Sequence, residues 1–219
     1  IIHTFYLARL ASGTFFALVG ATSIALCRRG KVLLLLILSL PMTLYLAASL
    51  SQDGPLIAIS ALIAALLTRH DQGYLWSWGN WCMMGIGFGI LGMAKPPELA
   101  LSGIACLIVS RRELPRSLLC PGLAAIFTFS WLKIGVEPVK IQLLAEQGVS
   151  DSGQMHYLLT HYFILPTLIY QSVATYWEGY SAQFIGVLGW LDTPLPNWFY
   201  YLEGKLLVVV FVTSFLLSG

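Results

Sequence analysis

The sequence predicts an all-α, polytopic helical membrane protein, with about seven transmembrane helices in hairpins and a further helical region at the outer face. Three observations predict it. Of 219 residues, 58% are hydrophobic and 10% charged, with a mean hydropathy of +0.79. Soluble domains carry about 25% charged residues, so this chain lacks the polar surface needed to cover a globule in water. Apolar runs of helical length recur along the chain, and the basic residues between them fall in every second connection.

Segments 5–27, 32–50, 55–68, 76–94, 97–110, 117–135 and 198–217 approach the roughly 20 apolar residues that cross a bilayer core as a helix. The short ones, 55–68 and 97–110, begin at Pro55 and Pro97. Proline suits a first helical turn, where its missing N–H would be unpaired anyway. Residues of the preceding turns extend both. Arg28, Arg29 and Lys31 follow the first span, Arg69 the third, and Arg111, Arg112 and Arg116 the fifth. Lys and Arg mark cytoplasmic loops, so the alternate connections face outward. Those connections are Ser51-Gln52-Asp53-Gly54-Pro55 and Ala94-Lys95-Pro96-Pro97-Glu98.

Beyond the sixth span, Glu137, Glu146, Asp151, Glu178 and Asp192 stand against Lys140 alone. An acidic balance does not suit a cytoplasmic loop. Segment 157–177 is therefore expected to lie along or dip into the outer interface, where rings such as Tyr162, Tyr170, Tyr176 and Trp177 settle at headgroup level. The organisation that follows is a six-helix transmembrane region at 1–135, a non-cytoplasmic interfacial region at 136–197 and a final transmembrane helix at 198–219. The first residue, Ile1, and the apolar run at the other end lead to the expectation of an internal piece of a longer protein.

Composition excludes some classes. No exposed segment mixes a block of basic residues with aromatics, which argues against a nucleic-acid partner. Cys27, Cys82, Cys106 and Cys120 lack CxxC spacing and read as unpaired thiols in apolar runs. His156 and His161, five apart, do not share a helix face, so no zinc site is expected. Gly87-Phe88-Gly89-Ile90-Leu91-Gly92 spells a dinucleotide-binding pattern, but that pattern needs a preceding strand. Inside an apolar helix, Gly85 and Gly89 read instead as a GxxxG pair for close helix packing.

Asp53 precedes Gly54-Pro55 and has two readings. It caps the next helix through its side chain, or it is a carboxylate poised at the outer edge as a general base or divalent-ion ligand. Lys95 stops the fourth span ahead of two prolines. It snorkels, pairing with Glu98, or it presents an ammonium to phosphate. Arg9 lies inside the first span, where a charge costs a few kcal/mol and calls for a partner. With Lys133, near the outer end of its span, Arg9 and Lys95 are candidate phosphate-binding residues at one depth, with Asp53 as a counter-charge, or each snorkels separately. Trp190 and Asp192 lie in the turn-rich segment before the last span, read as a helix stop and rigid turn or as an acceptor- or lipid-side loop.

Three segments in order, Pro41–Ala58 (PMTLYLAASLSQDGPLIA), Gly92–Glu98 (GMAKPPE) and Phe184–Pro196 (FIGVLGWLDTPLP), make the chain similar to the domain-of-unknown-function 2142 family of predicted bacterial membrane proteins. The family's turn more often has tyrosine after the two prolines, where this chain has Glu98. The resemblance implies a multi-pass protein of the bacterial inner membrane associated with cell-surface polysaccharide. It also implies a distant likeness to C-type glycosyltransferases, which use polyprenyl-phosphate-linked sugars. Those enzymes keep an essential acidic residue in their first outer loop, and the corresponding portion is expected upstream of Ile1. The expected function is therefore part of a membrane-embedded glycosyltransferase-like protein, with Asp53 orienting an acceptor hydroxyl or a divalent metal. A transporter or non-catalytic partner in lipid-linked glycan export is the alternative.

Overall fold

The computed structural model describes residues 2–70, 76–139, 150–189 and 191–216. It is 82% helical, which establishes the all-α class. The first half comprises α1 (Ile2–Leu26), α2 (Lys31–Ser39), α3 (Pro41–Ala47), α4 (Asp53–Leu67) and α5 (Trp78–Ala94). A 3-10 run (Pro96–Gly103) leads to α6 (Ile104–Leu107), α7 (Leu114–Ser117) and α8 (Leu119–Trp131), which ends in a π turn (Leu132–Val136). After the acidic segment come α9 (Asp151–Thr160), α10 (Ile164–Gly186), a hairpin of β1 (Val187–Leu188) with β2 (Thr193–Pro194), and α11 (Asn197–Leu216).

Prolines and a few caps set these boundaries. Pro41 opens α3 and holds Leu40 extended (φ −57°, ψ 140°), so the expected 32–50 span is divided into α2 and α3. Pro96 holds Lys95 extended (φ −137°, ψ 94°) and closes α5. The expected 97–110 span opens as 3-10 helix and becomes α-helical only at Ile104. Ser77 caps α5 by accepting the Asn80 N–H at 3.3 Å. Segment 157–177 is shared between α9 and α10, with a turn at 161–163. Among the described residues, His3–Leu26 and Leu114–Val139 are long and apolar enough to cross a membrane, and Asp53–Leu67 is a shorter apolar helix.

α4 holds two apolar cores together. One face, with Leu56 and Ile63, joins Trp81, Met84, Phe88 and Leu91 of α5, Ala105 of α6, and Cys120 and Ala124 of α8. The other, with Ala58 and Ala61, joins Phe16 of α1, Leu38 of α2 and Ala47 of α3. Gly54 lets the start of α4 meet the end of α3, since a Cβ there would stand 2.8 Å from the Ala47 Cα. All four cysteines are free.

The dinucleotide-like glycines are a packing face, as helix context implied. α5 lies against α8 through Gly85, Gly89 and Gly92, spaced by four and three and so on one side of the helix. A Cβ at Gly85 would sit 3.0 Å from the Leu123 Cβ and 3.2 Å from the Cys120 and Leu119 carbonyl oxygens. Gly92 faces Thr128, which is buried.

The segment read as a helix stop and rigid turn is an antiparallel hairpin, Val187 opposite Pro194 and Leu188 opposite Thr193. Gly189 and Leu191 take positive φ (69° and 64°) to turn it. The Tyr200 hydroxyl secures its base, accepting the Leu195 N–H and donating to the Gly186 carbonyl, both at 2.8 Å. Gly186 abuts Pro41, so the end of α10 docks where α2 gives way to α3.

The glycine face gives a direct test. Gly85→Ala is expected to destabilise by about 1–3 kcal/mol, because backbone carbonyls across the contact cannot yield. Gly122→Ala on α8, with nothing within 4 Å of the new Cβ, should be neutral or slightly stabilising. Thermal unfolding of the purified protein in detergent compares the two.

Candidate functional site and its counterpart

The two polar turns singled out in the sequence meet in space. α4 and α5 run antiparallel, so the first residue of α4 lies beside the residue that ends α5. There the Lys95 Nζ stands 2.6 Å from the Asp53 Oδ1. At that separation the ammonium and the carboxylate form a charge-assisted contact. Lys95 reaches Asp53 rather than Glu98, whose backbone N–H caps the Lys95 carbonyl at 2.9 Å.

Asp53 does not cap α4 through its side chain; Gln52 occupies the cap position without a side-chain bond, and Asp53 is already helical. Its carboxylate is engaged elsewhere. The Ser51 hydroxyl donates to Oδ2 at 2.9 Å and accepts the Asp53 N–H at 3.1 Å. Ser49 in turn accepts the Ser51 N–H at 3.1 Å and donates to the Leu46 carbonyl at 2.8 Å. This chain of short-range bonds fixes the turn that presents the carboxylate. The Lys95 ammonium, and then Ser51, hold the Asp53 carboxyl below the usual carboxylate range, against burial, which pulls the other way. Placement in the first turn of α4 also favours the anion. The pair stays partly open, with side-chain exposures of 29% for Asp53 and 47% for Lys95.

Chemically, this is a carboxylate kept ionised beside an ammonium that still reaches solvent. The ammonium can serve an incoming phosphate, and the carboxylate can accept a hydrogen bond from a hydroxyl or take one position on a cation. Among the described residues no group of three or more His, Cys, Asp or Glu is arranged to hold a metal.

The other expected residues stand apart. Arg9 is exposed on α1, with its guanidinium carbon 5.1 Å from the Phe5 ring centroid. It borders an open groove with Tyr6, Leu10, Gly13, Thr14, Ala17, Leu18 and Ala48. Lys133 is exposed in the π turn after α8. Asp192 is exposed in the hairpin turn and accepts the Thr193 hydroxyl at 3.2 Å. Trp190 lies outside the described residues.

At the opposite end of the α4–α5 pair is a cluster that spacing did not reveal. His70, just after α4, has its Nε2 2.7 Å from the Glu113 Oε2. The other oxygen, Oε1, accepts the Trp76 N–H at 2.9 Å. The His70 ring packs against Trp76 and Trp81, with centroids 5.3 and 5.6 Å away. The pair is buried, the Glu113 side chain at 5% exposure and that of His70 at 12%. With Glu113 as the carboxylate, Nε2 must carry the proton, since only one partner can donate. One sequence signal was available: Glu113 is a lone acid among Arg111, Arg112 and Arg116, and His70 follows Arg69, so the arginine alternation puts both on one side.

A family model described as "Predicted membrane protein (DUF2142)" matches residues 1–218. No curated protein and no solved structure matches.

Two outcomes are expected from the clasps. Glu113→Ala strands the buried His70 and the Trp76 N–H and should cost about 3 kcal/mol, read as earlier heat-induced aggregation in detergent. At the other end, Asp53→Asn should cost at most about 1 kcal/mol at neutral pH, since the pair is partly exposed. A carboxyl whose folded pKa is lowered stabilises above its unfolded value, near 3.9, and the benefit fades as pH falls through the folded one. The stability gap between wild type and Asp53→Asn, followed by melting from pH 7 to 3, should hold steady and then close below about pH 4.

Proposed function

From the premise that this chain belongs to the DUF2142 family of predicted membrane proteins, we propose that it is part of a glycosyltransferase-like protein. It handles polyprenyl-phosphate-linked sugars at the outer face of the bacterial inner membrane. In this reading the protein is multi-pass with about seven spans. Residues 1–135 form the first six, 136–197 line the outer face and 198–219 return inward.

The observation that carries the reading is the Asp53–Lys95 pair, which joins two outer turns at one polar point. Lys95 receives the phosphate of the lipid-linked sugar. Arg9 and Lys133, which stand apart from the pair, add further positive charge along the lipid's approach, and Asp192, with Trp190 of the same sequence segment, borders the acceptor or lipid side. An arriving phosphate competes with Asp53 for the ammonium. The carboxylate released from Lys95, still ionised, then accepts the hydrogen of an acceptor hydroxyl or binds a divalent ion. Groups pre-positioned around developing charge contribute most where water is scarce, and this site lies at the membrane edge. The family's match as a predicted membrane protein supports the bilayer as the surrounding medium. About 21 Å of helical rise along α4 separates Asp53 from Leu67, with His70 just beyond, which supports placing the two clasps toward opposite faces.

Lys95→Ala in the full-length protein should lower sugar transfer from polyprenyl-phosphate sugar at least tenfold, about 1.4 kcal/mol, with Lys95→Arg losing less. Transfer and lipid-phosphate binding both left unchanged by Lys95→Ala would remove the site assignment.

A further inference from the structure

Arg9, like Lys133, is an exposed cation within an apolar segment long enough to cross a membrane, and it borders a groove. It belongs to a helix, His3–Leu26, long and apolar enough to cross a membrane. It lies about 9 Å of helical rise inside the end of that segment. A charge at such depth normally turns inward to a partner. Arg9 does not: its residue is exposed, and the neighbour at its guanidinium is the Phe5 ring of its own helix. An outward guanidinium at that level either snorkels to the headgroup layer or pairs with an anion from its surroundings.

Below it, small residues open a channel. Gly13 and Ala17 on α1 are stacked one helical turn apart, and Ala48, just past α3, forms the facing wall. Leu10, Thr14 and Leu18 complete a groove of about 520 Å³, with Tyr6 and Arg9 at its upper end. The lining is apolar apart from the Tyr6 and Thr14 hydroxyls and the Arg9 guanidinium. A second groove, lined by Met93, Ile126, Phe127, Ser130, Trp131 and Ile134, has no charged lining residue and so nothing to hold a headgroup. An apolar trough ending in one cation matches an apolar chain ending in one anion.

We propose that the groove between α1 and the end of α3 seats a lipid phosphate. Its hydrocarbon chain lies over Gly13, Ala17 and Leu18, and its phosphate is paired with Arg9. The planar guanidinium holds two phosphate oxygens at once, and the Phe5 ring keeps it at groove level. Ala48 of the groove wall lies five residues before Asp53 in the chain. The site shares Arg9 with the proposed function but requires no transfer step, and its test reads binding alone.

The full-length protein in phosphatidylcholine nanodiscs is titrated with polyprenyl monophosphate, with phosphatidylglycerol and with inorganic phosphate, and bound lipid is counted by native mass spectrometry. One or both lipid phosphates should bind saturably, and millimolar inorganic phosphate should not displace them. Arg9→Gln should weaken binding about tenfold and Arg9→Lys less. Ala17→Phe, which fills the trough at an exposed position, should weaken it similarly, while Leu7→Phe, also exposed and outside the lining, should not. Preference for one lipid supports the site and identifies its source. Equal binding by wild type, Arg9→Gln and Ala17→Phe would overturn it, as would ready displacement by inorganic phosphate. Lipid binding that survives alongside lost sugar transfer would separate this site from the transferase reading.

Discussion

The rest of the structure is arranged around the α4–α5 hairpin, whose two ends are each closed by a pair of polar groups. An apolar medium offers no water to a stray charge, so charges at helix ends must find each other or stay at the surface. Asp53 meets Lys95 at one end and His70 meets Glu113 at the other. The two clasps are not equivalent. The His70–Glu113 end is buried among tryptophans with both carboxylate oxygens engaged, which suits a fixed joint. The Asp53–Lys95 end is partly open to solvent, which suits a pair that can be parted by a ligand.

Between the clasps, packing follows from side chains that are missing. Gly85, Gly89 and Gly92 bring α5 onto α8 so closely that added methyl groups would meet Leu123, Phe127 and Thr128. Lipid tails are as apolar as leucine, so helices in a bilayer associate through close contact rather than through escape from water. α4 then ties this tight pair to α1, α2 and α3 through Ala58 and Ala61. The site residues inherit their positions from this arrangement. Asp53 is placed by the meeting of α4 with α3 across Gly54, and Lys95 by the proline stop after α5.

Much of this was legible before any coordinates. Low charge and recurring apolar runs indicate helices in lipid, and Pro41, Pro55 and Pro96-Pro97 locate breaks and starts. The arginine alternation put the Asp53 and Lys95 turns on one face, where they meet. Other features were beyond its reach. A hydropathy run carries no information on whether its backbone stays α-helical, so the division at Leu40 and the 3-10 course after Lys95 escaped it. The candidate cations were grouped by depth alone, yet Arg9, Lys95 and Lys133 have different surroundings, because depth does not specify the direction a helix faces.

The sequence by itself determined the helical class, the polar turns, the glycine face and the orientation signal, because each is a local matter of composition, proline or spacing. The tertiary structure alone decided which charges become partners. His70 and Glu113 are 43 residues apart, and no local rule joins them. Asp53 looked equally suited to cap its own helix, and only the antiparallel return of α5 brought an ammonium close enough to claim its carboxylate. Pairing between distant charges is set by which helices pack together, and that depends on the whole chain at once.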